Sequence, residues 1–418
     1  YTDAIDNSAG VGTSDHEVNI KILTSSLLQS GDMTIKQRDT LLASMTDDVG
    51  RRVLVDNYQQ TQAVSLETAY GRDLLNAHGQ LIRFLEAKGG LNRAIEFLPD
   101  EKHLIERAQM GIGLTAPEIA VLLAYSKIAL KQAILATQLP DTPVFQKLLV
   151  SYFPDAVAEK CADQIPAHPL RREIITTQIV SRLVNRMGTV FTQQIGDETG
   201  AELEQIISAW YAASELLGAE ALWQEIEALD LKIPSARQMA LMMALRDMVG
   251  AATRQILASQ MAGAGIPEIV DTYRDAVAQA IAAARAGKEG VESIAALLDA
   301  RTDVARVFEL VDLARSGNRP LEEVAAACAK LDAAFDLAWR GNAIGNLPAG
   351  NRWQARARAQ LASDLRAMRQ ALLQRDAADA TATGAARSVI EELKRNAPQD
   401  LAMLSAGLTE VKRILLNH

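Results

Sequence analysis

The segment Gly111-Ile-Gly113-Leu-Thr-Ala116 matches the G-x-G-x-x-A pattern with which many proteins bind the pyrophosphate of a dinucleotide. That chemistry needs a β-strand before the glycines, a helix after them and an acidic residue about 20 residues farther on. Here residues 101–110 have a helical pattern, and no strand follows at the required distance. The pattern therefore favours a helix break followed by a new helix that begins at Thr115.

Histidines and carboxylates give no catalytic or metal-binding arrangement. His16-Glu17 begins like a zinc-protease motif, but position 20 is isoleucine where that motif needs a second histidine. No Ser/His/Asp, Cys/His or paired-carboxylate set is supported by spacing, so we predict no catalytic residue and no metal site. The histidines are scattered, and we predict a surface or capping role for each of His16, His78, His103, His168 and His418.

The first 14 residues differ from the rest of the chain, because they are rich in small and turn-forming types. The sequence predicts a loop here, followed by a helix over about residues 15–28. Between Asn7 and Ser14 this loop would offer hydroxyls and free backbone N–H groups just ahead of a helix N-terminus. Such groups bind carboxylates, so any ligand chemistry is expected in this segment.

Composition favours helices and excludes several protein classes. The 418 residues are 49% hydrophobic and only 4% aromatic, and the net charge is −9. These values argue against a disordered chain and against nucleic-acid binding by bulk positive charge. The most apolar stretch, residues 119–136, is interrupted by Lys127 and Lys131, so no membrane span is predicted.

Two cysteines, Cys161 and Cys328, cannot build a disulfide framework or a structural zinc site. Free thiols fit a reducing compartment, and no signal peptide is visible, so we expect a cytoplasmic protein. The chain starts with Tyr1 in loop-like sequence, which predicts a piece of a longer protein.

Helical signals dominate from Thr34 onward. The best-specified helix starts at Thr115, which pairs with Glu118 in a capping box, and Pro117 sits in its first turn. Residues 139–140 (Leu-Pro) are expected to stop it, and further helices are predicted between residues 143 and 416. We predict an all-α multi-helix bundle with two subdomains and an irregular N-terminal segment. After about residue 235 the sequence becomes alanine-rich, as in residues 276–286, and we expect these small residues to let the helices approach closely in a tight bundle.

Arginines cluster near the C-terminal end, and they allow two interpretations. One is a patch for an anion or a partner; the other, which we favour in a chain of net charge −9, is a solvated helix face paired with acidic neighbours. Arg171-Arg172 lie at a helix start, where they oppose the helix dipole, so we predict a carboxylate partner for them. The cluster comprises Arg352, Arg356, Arg358, Arg366, Arg369 and Arg375.

Several long segments resemble the large, bacterial NAD-specific glutamate dehydrogenases. Shorter matches lie at residues 2–11, 45–48, 56–58, 152–154, 184–186 and 353–358. The longer ones are Ser14-Asp-His-Glu-Val-Asn-Ile-Lys21, Gly113-Leu-Thr-Ala-Pro-Glu-Ile-Ala-Val-Leu-Leu-Ala-Tyr-Ser-Lys127 and His168-Pro-Leu-Arg-Arg-Glu-Ile175.

This resemblance implies a substrate site in the N-terminal segment. The family carries Asn-Ala-Gly-Gly-Val-x-x-Ser, which here reads Asn7-Ser-Ala-Gly-Val11-Gly-Thr-Ser14. By that match Ser14 would donate its hydroxyl to the side-chain carboxylate of glutamate. Asn7 would lie near the substrate and the nicotinamide, and Val11 would pack on the aliphatic part of the substrate. Ala9 replaces a family glycine, and residues 15–16 (Asp-His) replace an aromatic found in smaller relatives.

The resemblance also implies that this chain belongs to a longer parent enzyme with several domains. Residues 1–30 would end the catalytic domain, and residues 31–234 and 235–418 would be two parts of a helical domain. The lysine, the aspartate and the dinucleotide fold of the reaction lie upstream in the family, so this chain alone is expected to be inactive and not to bind NAD. Without them, residues 1–30 are expected to be disordered or to form a rearranged helix.

Expected partners are the upstream catalytic domain, glutamate and further copies of the chain in a homo-oligomer, with neither nucleic acid nor membrane. The alternative is a free-standing all-helical adaptor without an active site.

Overall fold

The computed structural model describes residues 1–345, 347, 351–374, 380–396 and 400–416. All regular elements among them are helices, 22 α-helices and three short 3-10 helices, so the predicted all-α class is confirmed. The contact pattern divides the chain into two units, Tyr1–Gln193 and Gln194–His418. The boundaries after residues 30 and 234 stay predictions.

The first unit contains ten α-helices. Short 3-10 helices at Leu139–Asp141, Pro143–Phe145 and Ile165–Ala167 join the later ones. The α-helices are α1 (Asp3–Asp6), α2 (Ser8–Ser30), α3 (Ile35–Ser44), α4 (Thr46–Ala69), α5 (Gly71–Lys88), α6 (Glu101–Met110), α7 (Ala116–Leu135), α8 (Gln146–Tyr152), α9 (Asp155–Lys160) and α10 (Arg171–Met187).

Helix α10 is the centre of the first unit, because it packs on α4, α7 and α8. Its residues Ile175, Ile179 and Leu183 recur at four-residue steps, and all three are buried. This spacing puts one apolar stripe along the helix, which is why α10 sits in the core rather than at the surface. Helix α2 packs on α4 at the edge of the same unit.

The predicted start of α7 is confirmed. The Glu118 carboxylate accepts hydrogen bonds from the Thr115 backbone N–H at 2.7 Å and from the Thr115 hydroxyl at 2.9 Å. Pro117 lies in the first turn, where its missing N–H costs nothing. Leu114 and Ile119, on either side of the cap, are both buried.

The second unit is built around four helices, in which α12 packs on α14 and α15, and both of these pack on α17. Its helices are α11 (Phe191–Thr199, which crosses the division between the units), α12 (Leu203–Leu216), α13 (Ala219–Glu227), α14 (Ser235–Leu257), α15 (Ile266–Arg285), α16 (Gly290–Asp299), α17 (Arg301–Gly317), α18 (Leu321–Phe335), α19 (Leu337–Gly345), α20 (Arg352–Leu373), α21 (Ala380–Arg395) and α22 (Leu401–Leu416). A further apolar cluster joins α18 to α22 around Met368 and Val411.

The alanine-rich stretch 276–286 does not itself provide the close packing that is expected of the small residues after residue 235. Apart from Val277, the residues of this stretch are half-buried or exposed. Alanine there provides helix propensity rather than close contact. The closely packed small residues lie instead on α12 and α14, where Ala209, Ala213 and Ala252 are buried.

The irregular N-terminal segment is also corrected, since the chain is helical from Ser8 onward. Contacts with α4 explain the difference. The Ser8 hydroxyl bonds to the Asn57 amide oxygen, and a Cβ on Gly12 would lie 3.6 Å from the Val53 side chain. This packing outweighs the weak helix propensity of a segment rich in glycine and serine.

Candidate functional site

The three residues of the expected substrate site share one face of α2. Asn7, Val11 and Ser14 are spaced by four and three residues, the repeat of an α-helix, and the Val11 N–H donates to the Asn7 carbonyl oxygen at 3.1 Å. All three are exposed, and the Val11 side chain is 63% accessible. The structure therefore brings the three predicted residues together as an outward-facing stripe.

The helical conformation changes how this stripe could meet a ligand. The expected cradle of free backbone N–H groups is wrong from Val11 onward, because the helix uses these groups internally. A ligand would instead meet side chains: the Asn7 amide, the Val11 methyl groups and the Ser14 hydroxyl. These offer hydrogen bonds at both ends and an apolar surface between them, which suits a flexible chain with polar ends.

A polar network, which runs from the exposed Asp15 to the buried Asn19, holds α2 from the side next to this stripe. The Tyr152 hydroxyl donates to the Asp15 carboxylate at 2.7 Å, and the Asn19 side-chain amide donates to the Tyr152 oxygen at 2.9 Å. His168 Nε2 lies 3.1 Å from the Asn19 carbonyl oxygen. Tyr152 and His168 are more than 130 residues away in sequence, so α2 is tied to a distant part of the chain.

His168 is neutral in this network. The Leu170 N–H donates to His168 Nδ1 at 3.1 Å, so Nε2 carries the hydrogen that goes to Asn19. Burial lowers the pKa of His168 below its usual value, which favours the same neutral form. Burial likewise raises the pKa of Tyr152, which therefore keeps its hydroxyl proton and remains a donor to Asp15.

Aromatic rings complete the contact behind α2. The His16 ring stacks on Tyr152 with the centroids 4.5 Å apart and the planes 16° from parallel. Phe153 packs edge-on against Tyr152 at 5.1 Å and contacts His168 at 5.7 Å. His16, Tyr152, Phe153 and His168 are all buried. Burial also lowers the pKa of His16.

Charged groups on α4 and α7 lie beside this network. Burial lowers the pKa of Lys127 to about 8, and the ammonium donates to Gln60 at 3.2 Å. Asp56 reaches solvent at the surface of α4, yet the protein around its carboxyl raises its pKa, and Lys127 and His16 oppose that rise. A lysine with a lowered pKa is frequent in functional sites, and spacing alone could not have singled out Lys127.

A second buried network surrounds Glu67. Its carboxylate lies 3.1 Å from His78 Nε2, and it accepts hydrogen bonds from the Thr189 N–H at 2.6 Å and hydroxyl at 2.8 Å. Both Glu67 and His78 are fully buried. A buried carboxylate with several donors stabilises a fold, because the donors replace the water that it loses.

The surface or capping role predicted for the histidines is wrong for His16 and His78, which are buried against polar or aromatic partners from other helices. His168 is also buried, so a surface role is wrong, but its Nδ1 does accept the Leu170 N–H just ahead of α10. His103 is exposed in the first turn of α6. His418 lies outside the described residues.

The Gly111–Ala116 pattern is a turn between two helices, as predicted. Gly111 ends α6 with a positive φ of 68°, and Ala116 begins α7. The residues described before the pattern form a helix, whereas a dinucleotide fold needs a strand there. The described residues therefore do not fit NAD at this pattern.

The described residues offer neither a metal cluster nor a membrane span. Within the described part of the chain, no three or more His, Cys, Asp and Glu side chains are grouped so as to hold a metal ion. None of the described helices combines the length and the apolar character that crossing a bilayer requires. Both cysteines are free and buried.

Two family models match the chain. The model described as "Glutamate dehydrogenase, C-terminal" matches residues 111–287 and 281–414, which is well over half of the sequence. The chain belongs to the glutamate dehydrogenase C-terminal family. A second model, "Bacterial NAD-glutamate dehydrogenase, catalytic domain", matches residues 1–67. The resemblance seen in the sequence is therefore confirmed.

Full-length relatives are named NAD-specific glutamate dehydrogenases. Those of Halomonas elongata and Pseudomonas aeruginosa are each 36% identical over 382 residues, 87% of this chain and 24% of the relative. That of Mycobacterium tuberculosis is 31% identical over 452 residues, 99% of this chain and 28% of the relative. The chain thus spans about a quarter of the length of the curated relatives it matches.

The two matches meet in the network behind α2. Asp15, His16 and Asn19 lie in the range that matches the catalytic-domain model, whereas Tyr152 and His168 lie in the range that matches the glutamate dehydrogenase C-terminal family. The hydrogen bonds of Tyr152 therefore join α2, in the range that matches the catalytic-domain model, to a helix in the range that matches the C-terminal model, all within the first unit.

The arginines behave largely as predicted. Arg171 and Arg172 pair with Asp141, so the expected carboxylate partner is confirmed. In the C-terminal cluster, Arg369 Nη1 lies 2.5 Å from Glu309 Oε1, which confirms pairing with acidic neighbours. Arg369 is buried, however, so a solvated face is the wrong description of its surroundings. Arg375 lies outside the described residues.

Proposed function

We propose that this chain is the C-terminal portion of an NAD-dependent glutamate dehydrogenase. The parent enzyme would convert glutamate, NAD and water to 2-oxoglutarate, ammonia and NADH. The observation that carries this proposal is the likeness to enzymes named NAD-specific glutamate dehydrogenase, at 36% identity over 87% of the chain. The match of residues 1–67 to the catalytic-domain model also supports it.

The α2 stripe is the proposed contribution to the substrate pocket. Ser14 donates its hydroxyl to the distal carboxylate of glutamate, Val11 packs on the methylene groups, and Asn7 lies near the α-carbon and the nicotinamide. The exposure of all three residues on one helical face supports these roles. A hydroxyl bonded to a carboxylate discriminates against substrates without that charge, because the bond is charge-assisted.

NAD would accept the hydride that leaves the α-carbon of glutamate. Since the Gly111–Ala116 pattern is a turn between two helices and not part of a dinucleotide fold, we assign NAD binding and the proton transfers to the upstream part of the parent polypeptide. This chain alone is therefore inactive. Its helical region has a structural, oligomerising or regulatory role.

The partners follow from the same proposal. They are the upstream catalytic domain, glutamate and further copies of the enzyme in a homo-oligomer in the cytoplasm. The net charge of −9 supports the exclusion of nucleic acid.

The test is an assay of glutamate-dependent NADH formation, with the parent polypeptide and this chain purified in parallel. We expect turnover by the parent and none by the chain alone. A parent polypeptide that folds and binds NAD but forms no NADH from glutamate would contradict the proposal. If the parent forms no NADH and this chain forms a stable complex with an unrelated protein, the adaptor alternative would be favoured.

A further inference from the structure

Asp15 links the proposed substrate-binding helix α2 to Tyr152, which lies in the range that matches the C-terminal model. It follows Ser14 in the chain, and its carboxylate accepts the Tyr152 hydroxyl at 2.7 Å. Asn19, one turn farther along α2, donates to the same Tyr152 oxygen at 2.9 Å. One hydroxyl therefore bridges two successive turns of α2, and its acceptor Asp15 is the chain neighbour of Ser14 and lies one turn from Val11.

These contacts fix how α2 is rotated. Side chains of successive residues in an α-helix point about 100° apart. A rotation of α2 about its axis would therefore change the direction in which the Ser14 hydroxyl points. The buried face carries His16 and Asn19, and the exposed face carries Val11 and Ser14. Because Tyr152 donates to Asp15, accepts from Asn19 and stacks on His16, a rotation would disturb three contacts at once.

Two further contacts keep Tyr152 itself in place. Phe153 packs edge-on against its ring at 5.1 Å, and only 4% of the Tyr152 surface is accessible. His168 holds the Asn19 carbonyl at 3.1 Å, and its own ring is fixed by the Leu170 N–H. A rigid donor fixes its acceptor better than a mobile side chain, since no rotamer freedom is lost on bonding.

We propose that Tyr152 is a positioning residue for glutamate, acting through Asp15 to hold the Ser14 hydroxyl in the orientation that the distal carboxylate requires. This inference rests on the proposed function. It assigns the C-terminal helical region a specific part in substrate recognition, in addition to any role in assembly. It also predicts that loss of the hydrogen bonds of Tyr152 weakens glutamate binding and leaves hydride transfer and NAD binding unchanged.

The test uses the full-length enzyme with Tyr152→Phe, which keeps the ring and its stacking but removes the hydroxyl. We expect the KM for glutamate to rise about five- to tenfold, with kcat and the KM for NAD unchanged. We also expect the preference for glutamate over norvaline, which has the same carbon chain without the distal carboxylate, to fall by a similar factor. A purely structural role would not alter that preference.

Tyr125→Phe is the matched control, because the Tyr125 hydroxyl likewise donates to a carboxylate of the same unit, that of Glu96 at 2.8 Å, and Glu96 is not part of α2. It should leave both the glutamate KM and the substrate preference unchanged. Equal values for the two variants would overturn the positioning role, while NADH formation by the wild-type enzyme would leave the proposed function standing.

If Tyr152→Phe fails to fold, Asp15→Ala tests the same link from the other side, because it removes the acceptor of the Tyr152 hydroxyl. The KM for glutamate should rise in the same direction, whereas Glu17→Ala, which removes a carboxylate that pairs with Lys21 on the same helix, should leave it unchanged. A wild-type glutamate KM in folded Asp15→Ala would overturn the inference.

Discussion

Gly113 lies directly against the backbone of Gly71: a Cβ on Gly113 would be 2.3 Å from the Gly71 carbonyl carbon and 2.5 Å from its Cα. The turn between α6 and α7 thus touches the first residue of α5 with no space for a side chain. Backbone cannot move aside as the end of a flexible side chain can, so this contact depends on glycine.

Gly113→Ala is therefore expected to destabilise the protein by about 1–3 kcal/mol, because the added methyl group forces the two backbones apart. The measurement is the free energy of unfolding by denaturant, followed by helical circular dichroism. Gly50→Ala is the control: Gly50 lies inside α4, and a Cβ there meets nothing within 4 Å. Alanine should stabilise that position by about 0.5–1 kcal/mol. Equal effects of the two variants would show that Gly113 and Gly71 are not in contact.

Stability should depend on pH through Lys127. Burial lowers its pKa to about 8 from 10.5, so the folded protein loses this proton more readily than the unfolded chain. The unfolded chain then binds more protons between those two values, and stability rises with pH in that window. The free energy of unfolding of the wild type should therefore gain about 1–3 kcal/mol relative to Lys127→Met as the pH is raised from about 7 to about 10.

The control for this titration is Lys131→Met, which removes an exposed lysine one turn farther along α7. Its free energy of unfolding should run parallel to that of the wild type over the same pH range. Parallel curves for Lys127→Met as well would contradict the assignment of the pH dependence to Lys127.

The sequence was sufficient for the helices with local start signals. The capping box of Thr115 and Glu118 determines where α7 begins, and it involves only neighbouring residues. The helical start at Ser8 could not be predicted, because it depends on contacts with Asn57 and Val53 in another helix. Local propensity is a weak guide wherever such tertiary contacts decide the outcome.

Part of the candidate site could likewise be predicted from the sequence, and part of it could not. The stripe of Asn7, Val11 and Ser14 was found by resemblance to a known family, and helical periodicity explains why the three residues come together. Tyr152 and His168 lie in segments that resemble the family, but their contacts with α2 could not be predicted, since most of the first unit separates them from Asp15 in sequence. A lone histidine or tyrosine in a sequence does not show which distant group it will contact.

Whether Ser14 binds the distal carboxylate of glutamate is decided by the glutamate KM of the full-length enzyme with Ser14→Ala. Ser25→Ala is the control. Ser25 is an exposed serine on the same helix, about 16 Å farther along it. Loss of a hydrogen bond to a charged group should raise the KM for glutamate by about tenfold or more in Ser14→Ala, with helical content and thermal stability unchanged. Ser25→Ala should match the wild type. A wild-type glutamate KM in Ser14→Ala would show that the Ser14 hydroxyl does not bind the substrate carboxylate.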